Sequence, residues 1–338
     1  MRTETNEKRV QAGEPGLKQL LLFNQINADL QQVETELFRF VDTDLPILHE
    51  SSVHLLAAGG KRLRPAFTLL AGKFYDYSLE KLLPVAMALE LIHMATLVHD
   101  DVVDAALTRR GRATVKAKWG NIVSVQTGDY LLAKSLLLIA QIDNPEVSRI
   151  LAEVSVEMCQ GEIQQLKTSF DTRQNLKEYY YRIKRKTALL ISACCRLGAL
   201  VTGAPPRQVW ALGAYGHALG MAFQIVDDVL DVTAEASELG KPIGGDLRQG
   251  VMTLPMITAL ARSSRREELE RLLARPEKSD AEIAQAIELI KESGAIAESM
   301  RWVDLYVVKA KKYLTELPDV PTRKVLGELA EFIRTRRF

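Results

Sequence analysis

Cysteine is scarce: the chain has three, Cys159, Cys194 and Cys195, too few for a disulfide framework and in no zinc-ligand spacing. Adjacent Cys194 and Cys195 cannot readily bridge each other, so all three are expected to be small core hydrophobes in a reducing compartment. A charge excess of either sign is missing too. Lys and Arg total 44 against 43 Asp and Glu, a formal net charge of +1, which argues against a nucleic-acid binder working through a basic surface. No Walker lysine loop, dinucleotide fingerprint or serine elbow occurs. Long apolar runs are absent as well. Segments 82–98 and 187–201 come nearest, but they fall short of the ~20 apolar residues of a membrane span and carry Glu90, His93 and Arg196. They are expected to be buried core helices. Residues 1–16 hold no apolar signal segment and read as a flexible polar extension of a cytoplasmic protein.

What is present is helical periodicity. Hydrophobic residues make up 47% of the chain, enough for a sizeable core, and they recur at helical spacing, as in Ile26, Leu30, Val33 and Leu37, or Ile283, Ile287 and Ile290. No alternating stretch demands a sheet. Turn signals at Gly59-Gly60 with Pro65, at Asp143-Asn144-Pro145, and in segments 203–206, 240–255 and 318–321 divide helices and mark no domain boundary. A single all-α domain over residues 17–338 is the expectation.

Two aspartate clusters of one form stand inside apolar runs: Asp100-Asp101-Val102-Val103-Asp104 and Asp227-Asp228-Val229-Leu230-Asp231. Carboxylates are costly to bury without a compensating cation, and residues i, i+1 and i+4 share one side of a helix. Two such faces make a cage for Mg²⁺, which takes hard oxygen ligands and is usually held by a few carboxylates plus substrate phosphates. A single cluster of this kind is as often a solvated helix face; a matched pair is not. His93 lies two turns before Asp100 on the same face.

A diphosphate held by metal on one side needs cations on the other. Four segments can supply them: Gly59-Gly60-Lys61-Arg62-Leu63-Arg64-Pro65; Arg109-Arg110-Gly111 just past the first cluster; Lys184-Arg185-Lys186-Thr187, expected to open a helix; and Gly240-Lys241-Pro242-Ile243-Gly244-Gly245, a glycine-rich flap after the second cluster. Each alone could be an ordinary basic surface turn. Together with two metal clusters and long apolar helices, they suit ionisation of an allylic diphosphate in a dry cavity.

These motifs, in this order, together with Phe223-Gln224, resemble the trans-type polyprenyl diphosphate synthases over roughly residues 20 to 335. Segments 89–101 and 182–190 most resemble the branch of that family that makes heptaprenyl diphosphate with a separate small subunit. The resemblance implies an antiparallel helical bundle around a deep central cavity, usually dimeric. It implies head-to-tail addition of isopentenyl diphosphate to an allylic primer such as farnesyl diphosphate, giving a long product for menaquinone side chains that is handed to a membrane. Asp100 and Asp104, supported by Asp101, would bind Mg²⁺, and Asp227, Asp228 and Asp231 would complete the cage. Arg109, Lys186, Thr187, Gln224 and Lys241 match allylic-side positions, while Lys61, Arg64, His93 and Arg110 match the isopentenyl diphosphate site.

Where many members carry Gly-Lys before Thr-Leu-Pro, this chain has Gly250-Val251-Met252-Thr253. The lost charge implies dependence on a small regulatory subunit. Ala95, five residues before Asp100, stands where short-chain members carry an aromatic, so it implies a long product; as a bare residue it fits equally a tight helix crossing. Terpene cyclases and head-to-head prenyl synthases also use aspartate-rich motifs but need no basic pocket such as Lys61 and Arg64 supply. Two complete clusters argue against a non-catalytic subunit.

Overall fold

The computed structural model describes residues 24–233 and 243–335, so the polar segment 1–16 and Lys241 lie outside the described residues. The helices are α1 (Asn27–Phe40), α2 (Pro46–Ala57), α3 (Leu63–Gly72), α4 (Leu79–Val103), α5 (Val115–Ala140), α6 (Pro145–Lys167), α7 (Leu176–Ile183), α8 (Leu189–Val201), α9 (Pro206–Thr233), α10 (Gly245–Gln249), α11 (Leu254–Arg262), α12 (Arg266–Ala274), α13 (Asp280–Glu292), α14 (Ala295–Leu314) and α15 (Pro321–Thr335). The expected all-α architecture is what the chain adopts. Among the described residues, the β-structure is one hairpin of two-residue strands, β1 (Thr108–Arg109) and β2 (Arg112–Ala113), which the sequence reading did not anticipate.

Local chemistry fixes the helix starts. Ser78 accepts from the Lys81 amide ahead of α4, Asn144 accepts from Glu146 at 3.0 Å ahead of α6, and Pro145 occupies the first turn, where its missing N–H costs nothing. Asn175 with Glu178, and Ser279 with Glu282, form reciprocal capping boxes at α7 and α13. The expected breaks at Gly59-Gly60, Asn144-Pro145 and residues 203–206 and 318–321 all fall between helices.

The centre belongs to α4 and α9, which are buried around most of their circumference, as helices without a polar face must be. α4 packs mainly on α5 and α3, and α9 on α14 and α8. Glycine sets how closely α9 approaches α8 and the residue before it: a Cβ on Gly216 would lie 2.7 Å from the Ile191 carbonyl, and one on Gly220 would lie 2.6 Å from Ala188 Cα. Cys194 and Cys195 are core residues as expected. Cys159 is not: it lies exposed on α6, because its helical position points away from the core face of Val154, Met158 and Gly161.

Among the described residues, α4, α5 and α9 are long and apolar enough to cross a membrane. In α4 and α9 most of that apolar surface lies inside the fold, whereas α5 exposes Ile122, Leu132, Leu136 and Leu137.

Candidate active site

Both aspartate clusters occupy the C-terminal ends of the central helices, Asp100 to Asp104 closing α4 and Asp227 to Asp231 closing α9. Within each cluster the structure divides the carboxylates into two groups. Asp101, Asp228 and Asp231 are buried, whereas Asp100, Asp104 and Asp227 stay half-buried. Asp101 Oδ1 accepts from Arg109 Nε at 2.8 Å and so aims that guanidinium. Asp228 accepts from Tyr179 at 2.7 Å and from Gln224 Nε2 at 2.8 Å. Asp231, expected as a metal ligand, accepts from the amides of Gly245 at 3.2 Å and Asp246 at 3.0 Å, where it caps α10.

The half-buried pair on α4 is electrostatically loaded. Burial pushes the Asp100 carboxyl up to about 6, with Glu162 and Asp104 adding to the shift and Lys186 opposing it. Asp104 is raised by burial too, with Glu162 and Asp101 adding to the shift and Lys186 opposing it. Burial works against the Lys186 charge, but Glu162, Asp100 and Asp104 outweigh it and hold the ammonium above its ordinary value. Lys186 Nζ lies 2.9 Å from Glu162 Oε1. Glu162, on α6, escaped the sequence reading, because a lone glutamate on an amphipathic helix carries no signal until the fold brings it to the cluster.

Lys184 to Thr187 do not open a helix as expected. They form a π-helical turn, Lys184–Ala188, that joins α7 to α8 without a break. An α-helix would leave Thr187, eight residues past Tyr179, about 80° round from it; the wider π turn rotates it back towards the same face. Thr187 Oγ1 consequently pairs with Gln224 Oε1 at 2.6 Å, while Tyr179 reaches Asp228, and the neighbouring Lys186 turns to the first cluster. One turn of backbone thus serves both aspartate clusters. Tyr179 and this π turn were invisible in the sequence, since π turns have no compositional signature.

The second group of predicted residues converges around His93. Burial, then the charges of Arg64, Arg110, Arg109 and Arg62, holds its imidazole well below the usual range and therefore neutral. Arg64 opens α3, and its guanidinium lies within electrostatic reach of Asp227. Arg110 and Gly111, both left-handed with φ of 52° and 71°, form the two-residue turn of the β hairpin, and Arg110 donates to the Gly59 carbonyl. Gly60 has φ 152°, a backbone conformation that side-chain-bearing residues rarely adopt, and the Arg110 guanidinium lies directly over it. Lys61 lines a narrow crevice with Phe67, Phe223 and Phe332.

The sequence profile of the polyprenyl synthetase family matches residues 45–290. The chain belongs to that family. It is 48% identical to heptaprenyl diphosphate synthase component 2 of Geobacillus stearothermophilus, over 95% of this chain and 100% of that protein. It is 45% identical to the Bacillus subtilis (strain 168) protein of the same name, over 95% and 92% of the two chains. The crystal structure of polyprenyl synthase from Caulobacter crescentus CB15, complexed with calcium and isoprenyl diphosphate, superposes with a TM-score of 0.90 at 37% identity, covering 94% of this chain and 97% of that one. As a polyprenyl synthetase, the chain is a prenyltransferase.

Tyr179 gives this prenyltransferase a measurable signature. Burial pushes the Asp228 carboxyl up to about 6, against the hydrogen bonds from Gln224 and Tyr179. Tyr179→Phe removes one donor to the charged form, raising that carboxyl further and costing about 1–3 kcal/mol where Asp228 is ionised. The loss in urea melts is expected to be larger at about pH 8 than at about pH 5, below the folded value, where the carboxyl is protonated. Equal losses at both would show that the phenol does not support the carboxylate.

Proposed function

We propose that this prenyltransferase joins isopentenyl diphosphate head-to-tail to an allylic diphosphate, with farnesyl diphosphate as primer, and makes a long all-trans polyprenyl diphosphate, heptaprenyl in length, for menaquinone side chains. The observation that carries the reading is the placement of the two clusters: both close the buried central helices α4 and α9, and Asp100, Asp104 and Asp227 are half-buried there rather than sealed in the core. The donors suit Mg²⁺ chemically, being hard carboxylate oxygens whose mutual repulsion a cation relieves. Mg²⁺ held by Asp100, Asp104 and Asp227 would neutralise charge developing on the leaving diphosphate.

The remaining work falls to the chain. Arg109, oriented by Asp101, and Lys186, oriented by Glu162, bind the allylic diphosphate beside Thr187 and Gln224. Lys241 is the expected contribution of the flap. Lys61, Arg64 and Arg110 bind the isopentenyl diphosphate, and neutral His93 offers it a hydrogen bond without adding charge. Apolar walls exclude water from the allylic cation while the isopentenyl double bond attacks it, and the released pyrophosphate takes the proton.

Asp100 makes metal binding pH-dependent. With its carboxyl at about 6 in the fold against an ordinary 3.8, the folded state holds a proton there that the unfolded chain has lost. The metal-free protein therefore loses stability from this group as pH rises from about 4 through about 6, and Mg²⁺ must displace the proton below that. The rise in Tm produced by Mg²⁺ is expected to be larger at about pH 7.5 than at about pH 5.5. A metal-induced shift independent of pH would remove Asp100 from the site.

Ile122, Val125, Leu132 and Leu136 on α5, with Val156, Ile163 and Leu166 on α6, give these helices exposed apolar stripes. We assign that face to a second polypeptide, either another copy of the chain or a small regulatory subunit. The name component 2 carried by the Geobacillus and Bacillus relatives supports the two-component form. Val251 supports it as well: it is buried with its amide donating to Asp246 at 2.9 Å, so the position brings no cation to the flap. The enzyme is assigned to the cytoplasm, with its lipid product passed to a membrane.

Mass analysis of products from Mg²⁺, farnesyl diphosphate and labelled isopentenyl diphosphate tests the assignment. Heptaprenyl diphosphate is expected when a cell extract supplies the partner, and little product without it. A cyclic hydrocarbon, or no incorporated label under either condition, overturns the reading; full activity of the chain alone overturns only the partner.

A further inference from the structure

Glu90 stands one turn before His93 on α4, is 4% exposed, and faces the turn into α3 that carries Lys61 and Arg64. Its Oε1 accepts from Arg62 NH1 at 3.0 Å, and both side chains are sealed from solvent, at 5% and 3% exposure. Arg62 also donates to the Leu56 carbonyl of α2 at 3.0 Å and lies 3.5 Å from Glu34 of α1. Its backbone is left-handed, φ 46° and ψ 40°, at the N-cap of α3. A side chain larger than glycine is uncommon there and costs of the order of 1 kcal/mol, so surrounding contacts must hold it.

The consequence is geometric. Arg62 points inward between three helices at the residue where the chain turns, while Lys61 and Arg64 flank it and stay half-buried. The Glu90 carboxylate is within electrostatic reach of Arg64 and Arg110 as well, where it offsets the mutual repulsion of Arg62, Arg64 and Arg110 beside a neutral imidazole. Its second oxygen, and Nε of both Arg62 and Arg64, are buried without hydrogen-bond partners.

We propose that Glu90 is a positioning residue for the isopentenyl diphosphate half-site: its carboxylate locks Arg62 into the left-handed turn, and that turn aims Lys61 and Arg64 at the diphosphate. The inference rests on the half-site assigned above. Breaking a buried pair from one side leaves an uncompensated charge, whereas replacing both partners with apolar groups can leave stability unchanged. Stability and aim can therefore be separated.

Calorimetric titration of the purified full chain provides the test, with isopentenyl diphosphate in one series and Mg²⁺ with a non-reactive allylic thiolodiphosphate in the other. Glu90→Gln keeps the shape and loses the charge; its Kd for isopentenyl diphosphate is expected to rise about tenfold or more, with the allylic analogue within about twofold of the parent. Glu90→Asp should recover part of the affinity. In the double variant Arg62→Met with Glu90→Met, Tm should return towards the parent while isopentenyl diphosphate affinity stays low, because an apolar pair fills the space without fixing the turn. Parent-like binding by Glu90→Gln, equal loss of both ligands, or recovery of affinity together with Tm in the double variant would overturn the proposal. If the parent itself fails to bind isopentenyl diphosphate, the half-site assignment falls, and this inference with it.

Discussion

Asp100→Asn is expected to lower kcat by about 10²–10³-fold while leaving the metal-free protein more stable at neutral pH. The activity loss follows from the site's design, since removing one preorganised stabiliser of developing charge in a water-poor cavity typically costs that much. The gain in stability follows from the direction of the pKa shift. Burial, Glu162 and Asp104 all disfavour the Asp100 carboxylate, and only Lys186 and Arg109 favour it, so its charged form is held at a cost in the absence of a cation. Asparagine has nearly the same shape and no charge, and Lys186 keeps its 2.9 Å contact with Glu162. The gain should be on the order of 1 kcal/mol for a half-buried group. Chemical melts in EDTA and steady-state kinetics read the two effects separately. Activity within about tenfold of the parent would remove Asp100 from the metal side, and a less stable variant would mean that the carboxylate is structural.

Ala95→Phe carries the second large effect, a change of product. Ala95 is 2% exposed on α4, roughly 7.5 Å along the helix axis from Asp100 at about 1.5 Å rise per residue, with Ala88 two turns further on the same face. Two physical situations fit a buried alanine there, and they predict opposite outcomes. If the side chain borders the path of the growing tail, phenylalanine fills space the product would occupy, so the product should shorten by several isoprene units with little change in stability. If Ala95 sits at a tight helix crossing, the larger ring overpacks the core, costing about 1–3 kcal/mol, and product length stays as it was. The first outcome is expected. Mass analysis of the products together with a urea melt decides between them.

Periodicity along the chain fixed the all-helical class, because a core built from α4 and α9 must place apolar residues at helical spacing regardless of what surrounds it. Turn chemistry at Gly59-Gly60 and Asn144-Pro145 placed the breaks, and apolar context made the two aspartate clusters conspicuous. All of this is local, so residues adjacent in sequence were enough to carry it.

What no local signal carried is the division of labour inside each cluster. The sequence presents Asp100 and Asp101, or Asp227 and Asp228, as equivalents. Only packing separates them, by delivering Arg109 to Asp101 from the β hairpin and Tyr179 to Asp228 from α7. The same holds for Glu162 beside Lys186, and for Glu90, which the sequence offers merely as an ionisable residue in an apolar run. The π turn at Lys184–Ala188 is the clearest case: one extra residue in a helical turn decides whether Thr187 faces the second cluster, and the register of a helix is set by the helices packed against it. The sequence by itself thus determined which chemical groups the protein owns and that they lie on helices. Tertiary packing decided which carboxylates are buried and which stay half-buried, because burial depends on side chains distant in the chain.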